Sequence, residues 1–110
     1  RNPLLSFVAV LPNQENKIIG TSLCGHDGRR GYLYHVVVSD LYRNRGIGKS
    51  LVAKSLSGLK EQGIHKCHLF VYAKNELGKQ FWTSTGWTLR KDIVIMSKHT
   101  TDKLEQRKFD

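Results

Sequence analysis

One stretch of the sequence concentrates groups that bind phosphate. Residues 36–50 read VVVSDLYRNRGIGKS, an apolar run followed by a short basic loop, two glycines and the start of a helical pattern. Unpaired N–H groups at a helix start together carry about half a positive charge, and glycine lets the backbone approach a phosphate without a Cβ in the way. Gly46 and Gly48 would expose these amides, with Arg43, Arg45 and Lys49 around them. The stretch therefore predicts a binding site for a phosphate-containing anion.

Spacing excludes two widespread phosphate-binding loops. The P-loop of nucleotide hydrolases ends in Gly-Lys-Ser or Gly-Lys-Thr, as residues 48–50 do, but its first glycine is replaced here by Arg43. No later apolar strand ends in an aspartate suited to magnesium. The dinucleotide fingerprint requires a third glycine where this chain has Leu51. A nucleotide hydrolase and a dinucleotide-binding enzyme are therefore both disfavoured.

Alternation and turn residues predict the elements that position this loop. Residues 6–11, 17–24 and 32–38 are β-rich and are separated by turn signals, so three antiparallel strands are expected. After Gly46, apolar residues recur every four positions up to Gly63, which predicts an amphipathic helix of about four turns.

The second half of the chain predicts a strand, a helix and further strands. The expected segments are a strand at 66–73, a helix at 76–85 with Asn75 as its N-cap, and two strands within 87–98 broken near Asp92. The step from 32 to 73 should be a right-handed parallel crossover. The fold class is α+β, with a mixed, mostly antiparallel sheet and helices on both of its faces.

Length and composition indicate one folded domain. The 110 residues are 39% hydrophobic and 25% charged, and none of the apolar runs reaches the roughly 18 residues of a membrane span. We expect a single domain over 1–100, a flexible tail over 101–110 and a cytoplasmic location. Because the chain begins with Arg1 and not methionine, an N-terminal part is expected to be missing.

The net charge of +9 allows a nucleic-acid ligand, but the 18 basic residues are spread along the chain and no nucleic-acid module accompanies them. A phosphate-bearing cofactor accounts for the charge equally well. Cys24 and Cys67 lie in apolar stretches without metal-ligand spacing, so free buried thiols and no metal site are expected.

The loop and its surroundings resemble one family. Residues 43–48 (RNRGIG) are similar to the Arg/Gln-x-x-Gly-x-Gly/Ala signature of the GCN5-related N-acetyltransferases, the GNAT family, and the apolar triplet at 36–38 precedes it as in that family. A second family motif places an asparagine before a short helix that ends in an aromatic pair and a Gly-aromatic step. Here that motif corresponds to Asn75 and residues 81–87 (FWTSTGW), and the resemblance extends over residues 6–98.

The resemblance implies acetyl-CoA as co-substrate, with its pantetheine arm between two splayed strands and its pyrophosphate on the loop. Backbone groups of Val36 and Val38 would pair with the arm like an added strand. The residues assigned to the cofactor are Val36, Val37, Val38, Arg43, Asn44, Arg45, Gly46, Ile47, Gly48, Lys49, Ser50, Asn75 and Phe81.

The reaction implied is transfer of an acetyl group to a primary amine of a small molecule or protein. The candidate catalytic groups are the backbone N–H of Val37 as oxyanion donor, His35 as base with His68 as a second choice, and Trp82. Many relatives carry a tyrosine at the position of Trp82, and because indole is not a useful acid, the proton donor stays open.

Two other functions remain: a non-catalytic acyl-CoA-binding domain and, less favoured, a basic nucleic-acid-binding module. The sequence does not identify the acceptor amine. A homodimer is left open, because dimers are common in the family, and no membrane partner is expected.

Overall fold

The computed structural model describes residues 5–101 and divides the chain after Asn75 into two compact units. The first unit contains a four-stranded sheet and one long helix. Its elements are β1 (Phe7–Leu11), β2 (Lys17–His26), β3 (Gly31–Val38), α1 (Ile47–Glu61) and β4 (Cys67–His68), with single 3₁₀ turns at Pro12–Gln14 and Asp40–Tyr42.

The strands lie in the order β1-β2-β3-β4. β1 pairs with β2 and β2 with β3 in antiparallel fashion, whereas β4 runs parallel to β3. Since parallel neighbours cannot be joined by a tight turn, α1 carries the chain from one to the other. The predicted α+β class, the mixed, mostly antiparallel sheet and the strand-helix-strand connection are confirmed.

The turn between β2 and β3 forms as its sequence predicts. The Asp27 carboxylate accepts hydrogen bonds from the N–H groups of Arg29 and Arg30, both at 2.9 Å, and these bonds hold the pKa of Asp27 below its usual value. Gly28 has φ +96°, a value that a residue with a Cβ rarely adopts. Local chemistry therefore fixes this hairpin.

The core lies between the sheet and one face of α1. Leu51, Val52, Ser55 and Leu59 are the buried residues of the helix, in agreement with the predicted four-residue repeat. The helix approaches β3 closely, because a Cβ on Gly31 would lie only 2.5 Å from Leu59 Cδ1. Glycine is therefore required at that point for the helix to pack at this distance.

A buried polar chain ties α1 to the sheet. The Ser55 hydroxyl donates to the carbonyl oxygen of Leu5 at 2.6 Å, and the Ser22 and Ser55 hydroxyls are 3.0 Å apart. All three residues are fully buried. Because each hydroxyl has a partner, the core accommodates them without an unsatisfied polar group.

One predicted strand is shorter than expected, and two others do not form within the described residues. The strand predicted at 66–73 pairs with β3 only at Cys67 and His68, and within the described residues 69–73 belong to no ladder. A strand is defined by its partner, and β3 offers pairing over only that short stretch. The two strands predicted within 87–98 are likewise absent from the described part of the chain, although the backbone does bend at Asp92, whose carboxylate binds the Arg90 guanidinium at 2.8 Å.

The second unit contains α2 (Glu76–Ser84), which confirms the predicted second helix. Beyond it, residues 93–96 (IVIM) are more than half exposed. The predicted tail, apart from Thr101, lies outside the described residues. Across residues 5–101, none of the helices is both long enough and apolar enough to cross a membrane.

Candidate functional site

The most distinctive feature of the first unit is an unpaired edge of β3. The strand pairs with β4 at Gly31 and Tyr32 only, opposite Cys67 and His68, so from Leu33 onward its edge on that side has no ladder partner among residues 5–101. An unpaired edge presents free backbone N–H and C=O groups and can accept an extended chain as an additional strand. The loss of pairing beyond Tyr32 is what the predicted splay between these two strands requires.

The register of β3 shows which backbone groups point to the open edge. The Ser39 N–H donates to the Ile19 carbonyl oxygen at 2.8 Å, so Ser39 is bonded towards β2. Bonded and non-bonded pairs alternate in an antiparallel ladder, and therefore Val37 is also bonded towards β2 whereas Val36 and Val38 direct their N–H and C=O groups outward. Val36 and Val38 are the two residues assigned to the pantetheine arm.

A β-bulge interrupts β3 near the start of the open edge. Cys24 pairs with Leu33 and the preceding Leu23 pairs with His35, which leaves Tyr34 as an extra residue in the strand. Bulges bend a strand and change the face to which the following side chains point. Tyr34 is 67% exposed. The sequence contains no proline or glycine that announces this bulge.

The second feature is the N-terminus of α1, which lacks a side-chain cap. Gly46 is the N-cap residue, with φ +79°, and no side-chain oxygen bonds to the first-turn amides. The first hydrogen bond of the helix runs from the Ser50 N–H to the Gly46 carbonyl at 2.9 Å, so the preceding amides of Ile47, Gly48 and Lys49 have no intrahelical acceptor.

The charge at this helix start favours an anionic ligand. The first turn holds no acidic residue, and Lys49 lies within it. A cation at the positive end of a helix dipole is unfavourable by itself, and an anion bound there removes the conflict. A Cβ on Gly48 would lie 3.5 Å from a methyl group of Val38, so the first turn of α1 faces the end of β3.

The arginines of the loop have partners within the first unit. Arg43 Nε donates to the Val38 carbonyl at 3.1 Å, and its Nη2 lies 3.0 Å from the Asp40 carboxylate. The Arg45 guanidinium lies over the Tyr42 ring, 5.2 Å from its centroid. Asn44, with φ +64°, turns the chain between them. Both arginines are exposed, so they can exchange these contacts for a phosphate at little cost.

The two histidines proposed as bases lie on the face of the sheet opposite α1. Because Val38 faces α1 at Gly48, strand alternation directs His35 to the other face, where it is exposed. His68 lies on that same face, with its ring centroid 5.8 Å from that of Tyr32. The sequence left the face undetermined, and the structure places both imidazoles on one side of the splay.

The remaining site candidates lie around the start of α2 and within it. Asn75 is exposed and directly precedes the helix. In the second unit the rings of Phe81 and Trp82 meet edge to face at 4.9 Å, and Trp82 meets Trp87 at 5.4 Å. These contacts give the three aromatic residues a packing role within their own unit.

Nothing in the sequence predicts that Cys24 and Cys67 lie together. Both thiols are free, Cys24 is buried, and the two side chains lie close enough on β2 and β4 to affect each other's pKa. Burial, followed by the neighbouring Cys24, raises the pKa of the Cys67 thiol to about 12, and burial also raises the pKa of Cys24. Both groups are therefore neutral and poorly nucleophilic at physiological pH.

Sequence reasoning also missed a ladder of three rings on the face opposite α1, made by Tyr34, Tyr32 and His68. The two tyrosine rings are 6.3 Å apart with an interplanar angle of 28°, and Tyr32 meets His68 as described above. The Tyr-x-Tyr spacing in β3 was the available signal, since such residues share one face of a strand. The third ring depends on the β3–β4 pairing.

The chain is similar to known acetyltransferases in sequence and in fold. Residues 1–87 match the model of the acetyltransferase (GNAT) family. An acetyltransferase of Sodalis glossinidius is 25% identical over 104 residues, which are 94% of this chain and 71% of that protein. An aminoglycoside acetyltransferase from an uncultured soil metagenomic sample, solved with sisomicin, has a TM-score of 0.74 at 24% identity, covering 87% of this chain and 65% of that one.

A third similar protein is the PaiA N-acetyltransferase of Thermoplasma acidophilum, solved in complex with coenzyme A. Its TM-score is 0.71 at 23% identity, and the match covers 78% of this chain and 52% of that one. This chain thus spans between half and two thirds of these two solved proteins. At such identities the two solved structures establish the shared fold.

Proposed function

Because the chain belongs to the GNAT family of acetyltransferases, we propose that it binds acetyl-CoA and transfers the acetyl group to a primary amine. One observation carries the proposal: the uncapped N-terminus of α1 faces the end of β3, where that strand has an unpaired edge. The first element suits a pyrophosphate and the second suits an extended amide-bearing arm.

The pyrophosphate would lie on the first-turn amides of Ile47, Gly48 and Lys49. Their N–H groups point along the helix axis and lack intrahelical acceptors, and glycine at 48 keeps the approach open. Arg43 and Arg45 would turn from their present partners to the phosphate oxygens. Asn44 and Ser50 flank this set of donors in the chain.

The pantetheine arm would extend β3 as an added strand. Its amide groups would pair with the outward C=O of Val36 and with the outward N–H and C=O of Val38, which leaves the Val36 N–H for the thioester carbonyl. The Val38 carbonyl now accepts from Arg43 Nε, so movement of Arg43 to the phosphate would release this acceptor for the arm. Cofactor binding in this scheme rearranges two exposed side chains, those of Arg43 and Arg45, and no backbone. Asn75 and Phe81 remain assigned to the cofactor by resemblance.

In the transfer step, the amine nitrogen attacks the thioester carbonyl, the new C–N bond forms and the C–S bond breaks. The amine loses one proton and the thiol sulfur leaves as thiolate. The register favours the outward N–H of Val36 over that of Val37 as donor to the tetrahedral oxyanion, because the Val37 amide is bonded towards β2.

His35 is the proposed general base, because its exposed imidazole can accept the proton of the amine through a water molecule. Trp82 stays a catalytic candidate by resemblance only, and its indole N–H cannot supply a proton. A thiol with a pKa near 8.5 is an acceptable leaving group as the thiolate, so a dedicated acid is not required.

The proposal is tested first by cofactor binding. We expect Arg45→Gln to weaken acetyl-CoA binding by about tenfold in calorimetry, because a hydrogen bond from a charged group to phosphate contributes about 1.5 kcal/mol or more. The matched control is Arg29→Gln, which removes the same charge from the β2–β3 turn at the opposite end of β3. Equal losses in the two variants would show a general charge effect and refute the site.

Catalysis is tested by release of coenzyme A thiol with a panel of primary amines. Because the pKa values of both protein thiols are raised, a thiol reagent at pH 7 reports mainly the product. Amine-dependent release that His35→Gln reduces supports the transferase and its base. Tight acetyl-CoA binding with no amine-dependent release across the panel would instead identify a non-catalytic acyl-CoA-binding domain.

A further inference from the structure

The ring ladder of Tyr34, Tyr32 and His68 occupies the face of the sheet where the splay closes. Tyr32 and His68 are paired residues of β3 and β4, so the ladder spans both strands at the last point where they are joined. Tyr34, the bulged residue, is the first step along the open edge and is the most exposed of the three. The ladder therefore lies at the inner end of the unpaired edge.

The ladder lies close to the place that the acyl end of the cofactor would occupy. The phosphate site lies beside Val38, and an arm that follows the open edge from there runs back along β3 towards Tyr34. Tyr34 lies four positions before Val38, a distance of at most about 13 Å at the rise of a β-strand. With its thioester carbonyl at the outward Val36 N–H, the arm places its acyl group two positions from Tyr34, next to the exposed rings.

Aromatic rings recognise other flat rings and cations, and local charge distinguishes the two. Lys66 immediately precedes β4, and the ladder itself contains no carboxylate. The chain as a whole carries a formal charge of +9. This field opposes a ligand with several positive charges, whereas a monoamine attached to an aromatic ring brings one ammonium group and must lose its charge before it attacks.

We propose that the ring ladder is an acceptor subsite, and that it selects primary amines that carry an aromatic ring by stacking that ring on Tyr34 beside the acyl end of the open edge. This inference rests on the proposed acetyl transfer and goes beyond it by naming the class of acceptor. Tyr34 is the specificity-determining residue, with Tyr32 and His68 holding its ring in place.

A matched pair of substrates tests the inference. We expect 2-phenylethylamine to have a kcat/KM about 2 to 12 times that of 2-cyclohexylethylamine, the range that an aromatic pair supplies beyond its buried area. The two amines have the same linker and similar size, so the ratio isolates the flat ring. Spermidine, a polycation, should be a poorer acceptor than either. A phenyl-to-cyclohexyl ratio of one would overturn the inference.

Variants of the ladder test whether Tyr34 causes the ratio of kcat/KM between the phenyl and cyclohexyl amines. Tyr34→Leu should bring the ratio close to one, mainly through KM, whereas Tyr34→Phe should retain it because the ring is kept. Tyr72→Leu, which changes a tyrosine of equal exposure (66%) outside the ladder, should also retain the ratio. A ratio that survives in Tyr34→Leu would overturn the assignment. Because Tyr34 is largely exposed, the variant should unfold at the same urea concentration as the wild type.

Binding measurements separate failure of the subsite from failure of the proposed reaction. Saturation-transfer NMR on the protein with bound coenzyme A should show stronger transfer to 2-phenylethylamine than to the cyclohexyl amine. If this preference is seen without any acetyl transfer, the subsite stands and the proposed reaction fails. If amines are acetylated but no ring preference appears in kinetics or binding, the reaction stands and the subsite is refuted.

Discussion

Replacing either glycine of the loop at residues 43–49, here called the phosphate loop, by alanine should change the free energy of unfolding in opposite directions. Gly46 has φ +79° and nothing lies within 4 Å of a Cβ added to it, whereas a Cβ on Gly48, which lies within α1, would be 3.5 Å from a methyl group of Val38. Space is therefore available at both positions. Only the backbone conformation at Gly46 conflicts with a side chain.

The magnitudes follow from these two environments. Gly46→Ala should lower the free energy of unfolding by about 1 to 2 kcal/mol, the cost of a left-handed conformation for a residue with a Cβ. Gly48→Ala should raise it by about 0.5 kcal/mol, because alanine loses less entropy than glycine in a helix and the new methyl makes an ordinary contact. Urea unfolding followed by circular dichroism should therefore place the variants about 1.5 to 2.5 kcal/mol apart.

Cofactor binding provides the second half of this test. The methyl group added at Gly48 fills space between the first-turn amides and β3, so Gly48→Ala should bind acetyl-CoA about tenfold more weakly while being the more stable protein. A Gly46→Ala variant as stable as the wild type would refute the left-handed turn. A Gly48→Ala variant with unchanged affinity would refute the placement of the pyrophosphate on these amides.

Two further predictions concern the core of the first unit. Ser55→Ala leaves the Leu5 carbonyl and the Ser22 hydroxyl without their partner, so the free energy of unfolding should fall by about 1 to 3 kcal/mol. Ser22→Ala should lower the free energy of unfolding less when it is added to Ser55→Ala than when it is made in the wild type. Additive losses in the double variant would contradict the shared network. The pKa of Cys67 is raised to about 12 in the folded state, so the folded protein keeps a proton that the unfolded chain releases near pH 9. Stability should therefore be unaffected below that pH and should fall by no more than about 1 kcal/mol by pH 10, because solvent partly screens this half-buried thiol. Urea midpoints at pH 8 and 10 for the wild type and Cys67→Ala measure this difference, which vanishes if the thiol titrates normally.

Several parts of the fold could be predicted because their causes are local. Asp27 and Gly28 contain the hydrogen-bonding group and the backbone freedom that their turn requires. The apolar repeat of α1 is likewise a property of consecutive residues. The phosphate loop belongs to this class, since a helix start preceded by Gly46 exposes amides whatever the helix packs against.

The strand predictions that were too long or wrong, at 66–73 and within 87–98, share a different cause. Apolar and β-branched composition indicated strands at 66–73 and 87–98, but composition does not supply a partner. β3 pairs with β4 at two positions only, and beyond Asp92 the described residues show no ladder. The bulge at Tyr34 could not be predicted from the sequence either, because it results from the register between β2 and β3 and not from a particular residue type.

By itself, the sequence determined the order of the first five strands and helices, the helix that begins at the two glycines and the basic, acid-free character of the loop before it. Propensity, turn chemistry and charge act between residues close together in the chain, and no distant partner is needed for them. Tertiary structure alone decided how far β3 and β4 separate, which backbone groups of β3 remain free, and that Tyr32, Tyr34 and His68 form one surface. These features depend on the register between strands distant in sequence, and a shift of one residue in that register would turn every side chain to the other face.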